Sequence, residues 1–449
     1  MFRKVLVANR GEIAARVLRA CRELGVPGAA IVSEADRNAL HARLADEVHV
    51  VGPPPAAQSY LAMEKIVAIA ESIGADAVHP GYGFLAENGA FADLCAKHGL
   101  RFVGPTGDVI RAMGSKLESR RRMAAAGVPV VPGSTAVSNE DVLAAAREIG
   151  FPLIVKASAG GGGRGMRVVR EESKLADAFE RCRGEAQRAF GDATLYLEKL
   201  VDGPRHVEVQ VLADAHGHVV HGFERECSIQ RRHQKLVEEA PARIDAGLRA
   251  QLGAAAVAAA RAVGYEGAGT VEFLLDSSER FYFLEMNTRI QVEHPITEMV
   301  TGIDLVKAQL RIAAGEPLPF RQEQIELRGH AIEVRVYAED PERGFLPSPG
   351  RIQAWRPPGG FGVRVDAGVE AGDEVTIHYD ALLAKLAVWG RDRAEAIARL
   401  RAALDEFALE GVKSTLPFHR RVVRHPVFQD GRYDTGFVEQ HLRGGKPEK

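Results

Sequence analysis

Cysteine is scarce. Four are present in 449 residues, Cys21, Cys95, Cys182 and Cys227, and no two form a CxxC pair. Thiols scattered like this exclude a disulfide framework and a zinc knuckle, and they predict a reduced, cytoplasmic protein. No apolar run reaches membrane length, and residues 1–10 lack the apolar stretch of a signal peptide. No charge of one sign dominates. The formal net charge is −2, without long single-sign runs, which argues against nucleic acid or a membrane surface as partner. Two glycine signatures are also missing. The first strand-to-helix turn, Asn9-Arg10-Gly11-Glu12, holds one glycine rather than GxGxxG, which disfavours a dinucleotide oxidoreductase. A Walker A loop before a helix is not found either.

What is present is ordinary globular composition, 46% apolar with 46 glycines, in a chain long enough for two or three domains. Apolar runs at residues 4–8, 29–32, 48–51, 77–79 and 101–103 alternate with helical or turn segments. That pattern predicts a parallel sheet with helices on both faces. The segment His79-Pro80-Gly81-Tyr82-Gly83 follows a strand end, where open α/β sheets gather ligands. Helices are predicted at 12–24, 139–149, 172–189 and 245–263, and a third, α+β segment begins at residue 330.

Two stretches carry chemistry. In residues 151–166 a strand ends in Lys156, the loop Gly160, Gly161, Gly162, Gly163, Arg164, Gly165 follows, and a strand returns. Glycines let backbone N–H groups close on phosphate oxygens, and the lysine adds a charge. The second stretch is residues 283–293, read as extended. Glu285, Asn287, Arg289, Gln291 and Glu293 then share one face. Glu285 and Asn287 offer hard oxygens for magnesium, Arg289 a planar fork for a small oxyanion, and Glu293 a base. A hairpin of residues 268–275 and 281–287 sets Glu272 opposite Glu285. That is unfavourable unless a cation lies between them. Two solvated carboxylates on an edge hairpin would show the same pair, but the Asn, Arg and Glu that follow favour the cation.

These two stretches and the N-terminal parallel sheet resemble the ATP-grasp ligases. Further segments bring the likeness to the biotin carboxylase family. They are Val7-Ala8-Asn9-Arg10-Gly11-Glu12-Ile13-Ala14, residues 79–84, Arg205-His206-Val207-Glu208-Val209-Gln210, and residues 230–239, 287–295 and 345–350. The likeness runs in order along nearly the whole chain. It implies an N-terminal doubly wound domain (1–113), an ATP-grasp domain (114–328) with a mobile lid near 130–201, and a C-terminal α+β domain (329–449). Lys116, Lys156 and the glycine loop would hold ATP phosphates. Glu198, Lys199, Leu200 and Val201 would form the adenine hinge, with His206, Gln230 and His233 around the nucleotide. Glu272, Glu285 and Asn287 would bind magnesium, with manganese able to substitute. Lys235, Arg289, Gln291 and the Val292 backbone would bind bicarbonate, Glu293 would be its base, and Arg335 would face biotin, with Tyr82 also at the substrate.

The implied reaction carboxylates biotin through carboxyphosphate. The rivals are another ATP-grasp ligase and an inactive nucleotide-binding subunit. The 290–294 segment and the C-terminal third argue against the first, and the intact carboxylate set against the second. Ala159 and Glu226 are the two small departures from the family pattern. No Met-Lys-Met biotinylation site occurs in the sequence. The expected partners are therefore a biotin carboxyl carrier protein, separate carboxyltransferase subunits and a second copy of the chain. Acetyl-CoA carboxylase, in fatty acid biosynthesis, is the expected home, with propionyl-CoA or two-subunit pyruvate carboxylase as alternatives.

Overall fold

The computed structural model describes residues 1–135, 137–138, 140–158 and 165–442. Its first sheet is built from the strands Val5–Val7 (β1), Gly28–Ser33 (β2), Glu47–Gly52 (β3), Ala77–His79 (β4) and Arg101–Phe102 (β5). All four ladders are parallel, in the order β3-β2-β1-β4-β5. β1, β2 and β4 are buried along their whole length, as apolar runs covered on both faces must be. Gly11, at φ +66°, turns the chain directly from the end of β1 into the helix Gly11–Glu23. That positive φ strains any residue with a Cβ. The order reverses between β1 and β4, and there Asn9 Nδ2 donates to the carbonyls of Pro80 (2.6 Å) and Tyr82 (2.8 Å). This hydrogen-bonded seam closes the base of the crevice where such sheets bind ligands.

A smaller antiparallel sheet follows: Leu153–Ala157 (β6), Met166–Val169 (β7) and Leu195–Lys199 (β8), in the order β7-β6-β8. It has its own core, with Leu153, Val155, Phe179, Cys182 and Leu197 packed together. The helix expected from residue 139 begins at Val142. The one expected from 172 opens with a short 3-10 turn and runs Leu175–Phe190. The predicted glycine loop at Gly160, Gly161, Gly162 and Gly163 lies outside the described residues. Gly165 precedes β7 at φ +69° and accepts the Ala157 N–H at 2.9 Å.

The largest sheet has eight antiparallel strands. In sequence order these are Arg205–Ala213 (β9), Val219–Arg231 (β10), Gln234–Ala240 (β11), Gly267–Leu275 (β12), Phe281–Asn287 (β13), His330–Tyr337 (β14), then Val363–Ala367 and Leu382–Gly390. Across the sheet they run β13-β12-β9-β10-β11-β14, then Leu382–Gly390 and Val363–Ala367. Val207, Val209 and Val211 of β9 pack into a core shared with the helix Ala246–Ala262. Asp245 caps that helix by accepting the Leu248 N–H at 2.7 Å. Among the described residues no helix is long and apolar enough to cross a membrane.

One sequence reading needs correction. Residues 283–293 are not one extended segment, because β13 ends at Asn287. The chain then bends, and Glu293 becomes the N-cap of the helix His294–Thr301, with Pro295 in its first turn. Proline suits that position because its missing N–H has no helical partner to lose. The α+β segment expected from residue 330 begins with β14 at His330. That strand pairs directly with β11, so the central sheet continues into it.

Candidate active site

One row of residues runs straight across the large sheet. Register places Glu285 opposite Glu272, Glu272 opposite Glu208, and Glu208 opposite Arg225. Side chains opposed in a sheet share a face, so three carboxylates and a guanidinium lie side by side. The alternation in β9 explains the face: Val207, Val209 and Val211 point to the core, which turns His206, Glu208 and Gln210 the other way.

Lys235 of β11 is the hub. Its buried ammonium donates to Glu272 at 2.9 Å, to Glu293 at 2.7 Å, and to Glu208. Burial favours losing that proton, but the three carboxylates outweigh it and hold Lys235 well above the usual lysine range. Glu272 also accepts from Asn287 Nδ2 (2.9 Å) and Gln291 Nε2 (2.7 Å), and lies 3.0 Å from His206 Nε2. Glu293 meets Arg335 Nη2 at 3.0 Å through its second oxygen. Burial pushes the Glu293 carboxyl up, yet Lys235, Arg335 and Arg225 together bring it well below the ordinary range. The bend after Asn287 therefore still delivers Gln291 and Glu293 to the cluster, by a loop rather than by strand alternation.

Arg289 sits at the edge of the cluster. Its Nε donates to Glu87 at 2.9 Å and its Nη2 to Asn287 Oδ1 at 3.0 Å. Glu87 was not a sequence candidate, nor was Arg225. Arg225 is fully buried and donates to Glu208 (2.6 Å), Gln210 (2.8 Å), Gln291 (2.5 Å), Thr297 (3.0 Å) and Thr270 (3.1 Å). An arginine inside an otherwise inward-facing strand was the available signal, since charged residues are almost never fully buried unless paired.

The other end is cationic. Lys156 pairs with buried Glu198, which also accepts from Arg120 Nη1 at 2.6 Å. Burial and then Lys156 lower Lys116, while burial, His206, Lys156 and Lys116 lower His233. Positive groups that push one another's protons off are suited to a polyanion. Lys199 is turned to the carbonyls of Gly150 (3.2 Å) and Phe151 (2.9 Å), and the Leu200 N–H bonds Pro152 at 3.1 Å, with Val201 following. Gln230 pairs in register with Lys235. The Val292 carbonyl accepts from Lys385 at 2.9 Å, and the Tyr82 ring centroid lies 6.0 Å from the Lys385 ammonium.

Comparison with known proteins places this geometry. Residues 1–110 match the family "Biotin carboxylase, N-terminal domain", residues 115–321 "Carbamoyl-phosphate synthase L chain, ATP binding domain", and residues 333–440 "Biotin carboxylase C-terminal domain". Biotin carboxylase of Nostoc sp. is 53% identical over 98% of this chain and 99% of its own. The chain belongs to the biotin carboxylase family. A pyruvate carboxylase subunit of Methanothermobacter thermautotrophicus is 56% identical, covering 99% of this chain and 91% of that protein. The biotin carboxylase domain dimer of Hydrogenobacter thermophilus 2-oxoglutarate carboxylase, solved with MgADP, ADP and bicarbonate, aligns with TM-score 0.94 and 50% identity over 98% of both chains.

A biotin carboxylase fold implies a divalent cation, and the residues fit one. Glu285 has no hydrogen-bond or ion-pair partner among the described residues, and it faces Glu272 across the ladder. Burial and then Glu272 raise its carboxyl above the usual range. A hard cation between the two relieves both effects. His206, Glu208 and Glu272 also converge, with ligand atoms within 4.8 Å of one another. Glu208 is held by Arg225 and Lys235, and Glu272 by Lys235 and His206, so Glu285, facing Glu272, is the carboxylate left for a cation.

Proposed function

We propose that this chain is a biotin carboxylase that uses ATP and bicarbonate to carboxylate biotin carried on a separate protein. One observation carries the reading most: Glu293 lies between Lys235 and Arg335, in a cluster that also contains the cation-ready carboxylate pair. A base and a biotin-facing arginine are thus joined by direct contact.

In this reading Lys116, Lys156, the 160–165 loop and His233 bind the phosphates. Glu198, Lys199, Leu200, Val201, His206 and Gln230 surround the rest of the nucleotide. Arg289, Lys235, Gln291 and the Val292 backbone bind bicarbonate, with Tyr82 at the substrate side. Glu272, Glu285 and Asn287 would hold magnesium, which neutralises charge on the phosphate oxygens when bound. Arg289 exchanges its Glu87 contact for the incoming anion. Glu293 takes the bicarbonate proton and becomes neutral. That weakens its hold on Lys235 and Arg335 and frees two cations to face the new charge. The bicarbonate oxygen attacks the γ-phosphorus, ADP leaves, and carboxyphosphate breaks into carbon dioxide and phosphate. Phosphate removes the ureido N–H proton of biotin, Arg335 stabilises the oxygen that gains charge, and the nitrogen attacks carbon dioxide.

Residues 1–113, 114–328 and 329–449 are the three domains of this scheme. The separate core around β6–β8 supports a lid near 130–201 that closes over ATP and excludes water. Two relatives carry names of larger or paired assemblies, one as part of a pyruvate carboxylase and the other as a domain dimer. Those names support carrier and carboxyltransferase partners and a homodimer. Pyruvate carboxylase stands beside acetyl-CoA carboxylase as the parent complex on the strength of the Methanothermobacter relative, and the carboxyltransferase that co-purifies distinguishes them. The reading is tested by supplying ATP, magnesium, bicarbonate and free biotin. Bicarbonate-dependent phosphate release together with carboxybiotin is expected, and phosphate release indifferent to bicarbonate would refute it.

A further inference from the structure

One carboxylate on the buried face of the large sheet has no bonded partner among the described residues. Glu333 of β14 is fully buried, and neither of its oxygens has a hydrogen-bond partner among the described residues. Directly across the β11–β14 ladder stands Glu238. Its Oε1 accepts from Arg335 Nε at 2.6 Å, and its Oε2 also lacks a partner. Opposed like charges destabilise a sheet, and a buried carboxylate left unpaired is far more costly.

The charges around the pair do not resolve this. Arg335 holds Glu238 and Glu293, while Lys235 holds Glu208, Glu272 and Glu293. Lys385, on the strand Leu382–Gly390, lies 3.2 Å from Glu12 and donates to the Val292 carbonyl. Arg364 of Val363–Ala367 is taken by Glu298 and Asp366. His294 and Glu298 on the covering helix, Cys227 of β10 and Glu12 of Gly11–Glu23 supply no further positive charge: burial keeps His294 neutral, and Lys385, Arg16 and Arg364 reinforce this. Every nearby cation is already committed to another carboxylate.

We propose that Glu238 and Glu333 share a single proton, carried by Glu333, and that this pair is the positioning device for Arg335. The Glu333 O–H donates to the free oxygen of Glu238, which fixes the carboxylate that in turn fixes the guanidinium. What Arg335 does to biotin rests on the function proposed above; the shared proton does not. Burial pushes Glu333 well above the ordinary glutamate range; Lys385 and Arg335 draw it back only in part, and Glu238 and Glu293 add to the rise. Burial raises Glu238 too, but its Oε1 already accepts from Arg335 whereas neither Glu333 oxygen has a partner among the described residues, which places the proton on Glu333.

Two variants test this. Glu333→Gln keeps a neutral donor and removes the titration; Glu333→Leu removes both. The infrared difference spectrum of unsubstituted protein against Glu333→Gln, at neutral pH without substrates, is expected to show the C=O band of a protonated carboxyl. Absence of that band overturns the shared proton, whether or not the chain carboxylates biotin. Stability gives the same answer by sign. A glutamate raised in the folded state costs stability as pH climbs from its unfolded value towards its folded one. Glu333→Gln should therefore gain on the unsubstituted protein in melting temperature as pH rises, and a gap that stays constant contradicts the proposal. For positioning, Glu333→Leu should lose about tenfold in carboxybiotin formation, the scale of losing a group that orients a working residue. Its biotin-independent ATP hydrolysis should change much less, and Glu333→Gln should restore carboxybiotin formation. A Leu variant equal to the unsubstituted enzyme, or a Gln variant as impaired as Leu, sinks the positioning role.

Discussion

At the residue scale, two carboxylates of one site serve different ends because their neighbours differ. Glu293 is surrounded by Lys235, Arg335 and Arg225, whereas Glu285 faces another glutamate and has no bonded partner among the described residues. Replacing Glu285 by Gln removes a repulsion and breaks no hydrogen bond. The magnesium-free protein should melt no lower than the unsubstituted one, while turnover falls by about a hundredfold or more. A variant with normal turnover and normal magnesium dependence would mean that the pair holds no cation. The Arg335–Glu293 contact couples two steps that the sequence reading kept apart. Arg335→Ala should suppress carboxybiotin formation while leaving bicarbonate-dependent ATP hydrolysis substantially active. It also takes one cation from Glu293, which raises that carboxyl. The base then stays protonated to higher pH, and the acid limb of ATP hydrolysis should move upward. Parallel pH profiles of phosphate release and carboxybiotin check both; an unmoved acid limb would show that Arg335 does not tune the base.

At the scale of elements, Arg225 joins β9, β10, β12, the loop at Gln291 and the helix at Thr297. Its five contacts lie on segments far apart in sequence, so it locks their relative positions rather than any single strand. Arg225→Met strips Glu208 of its guanidinium partner inside the protein. Breaking a buried pair from one side typically costs about 3–5 kcal/mol, and the urea midpoint should drop accordingly. A midpoint within error of the unsubstituted protein would mean that Lys235 alone suffices for Glu208. The hairpin β12–β13 was legible beforehand, because turn residues at 276–280 and strand patterning fix the opposition of Glu272 and Glu285. The continuation to Glu293 is not strand. Alternation of polar residues over 285–293 mimics a strand, while the helix start at Glu293 and Pro295 overrides it.

At the scale of the whole molecule, the central sheet crosses from β11 into β14 without interruption. A chain cut after residue 328 leaves β11 as a long open edge and removes Arg335 and Lys385 from Glu238, Glu293 and Glu12. Exposed edges recruit other chains, and the stranded carboxylates oppose burial. Such a fragment should aggregate, or elute on gel filtration without a folded monomer peak. A monomeric fragment with native circular dichroism would show that the first two domains need nothing from the third.

The residues themselves determined the parallel N-terminal sheet, the alternating faces of β9 and β14, the opposed glutamate pair and the family likeness. These depend on local periodicity and short spacings, which survive in a linear string. Only the tertiary structure decided that Lys235 unites Glu208, Glu272 and Glu293, that Glu87 holds Arg289, and that Arg225 and the Glu238–Glu333 pair stand behind the site. Those partnerships join residues tens to hundreds of positions apart. No local pattern encodes which buried charge meets which, because each pairing is set by strand order and register across the completed sheet.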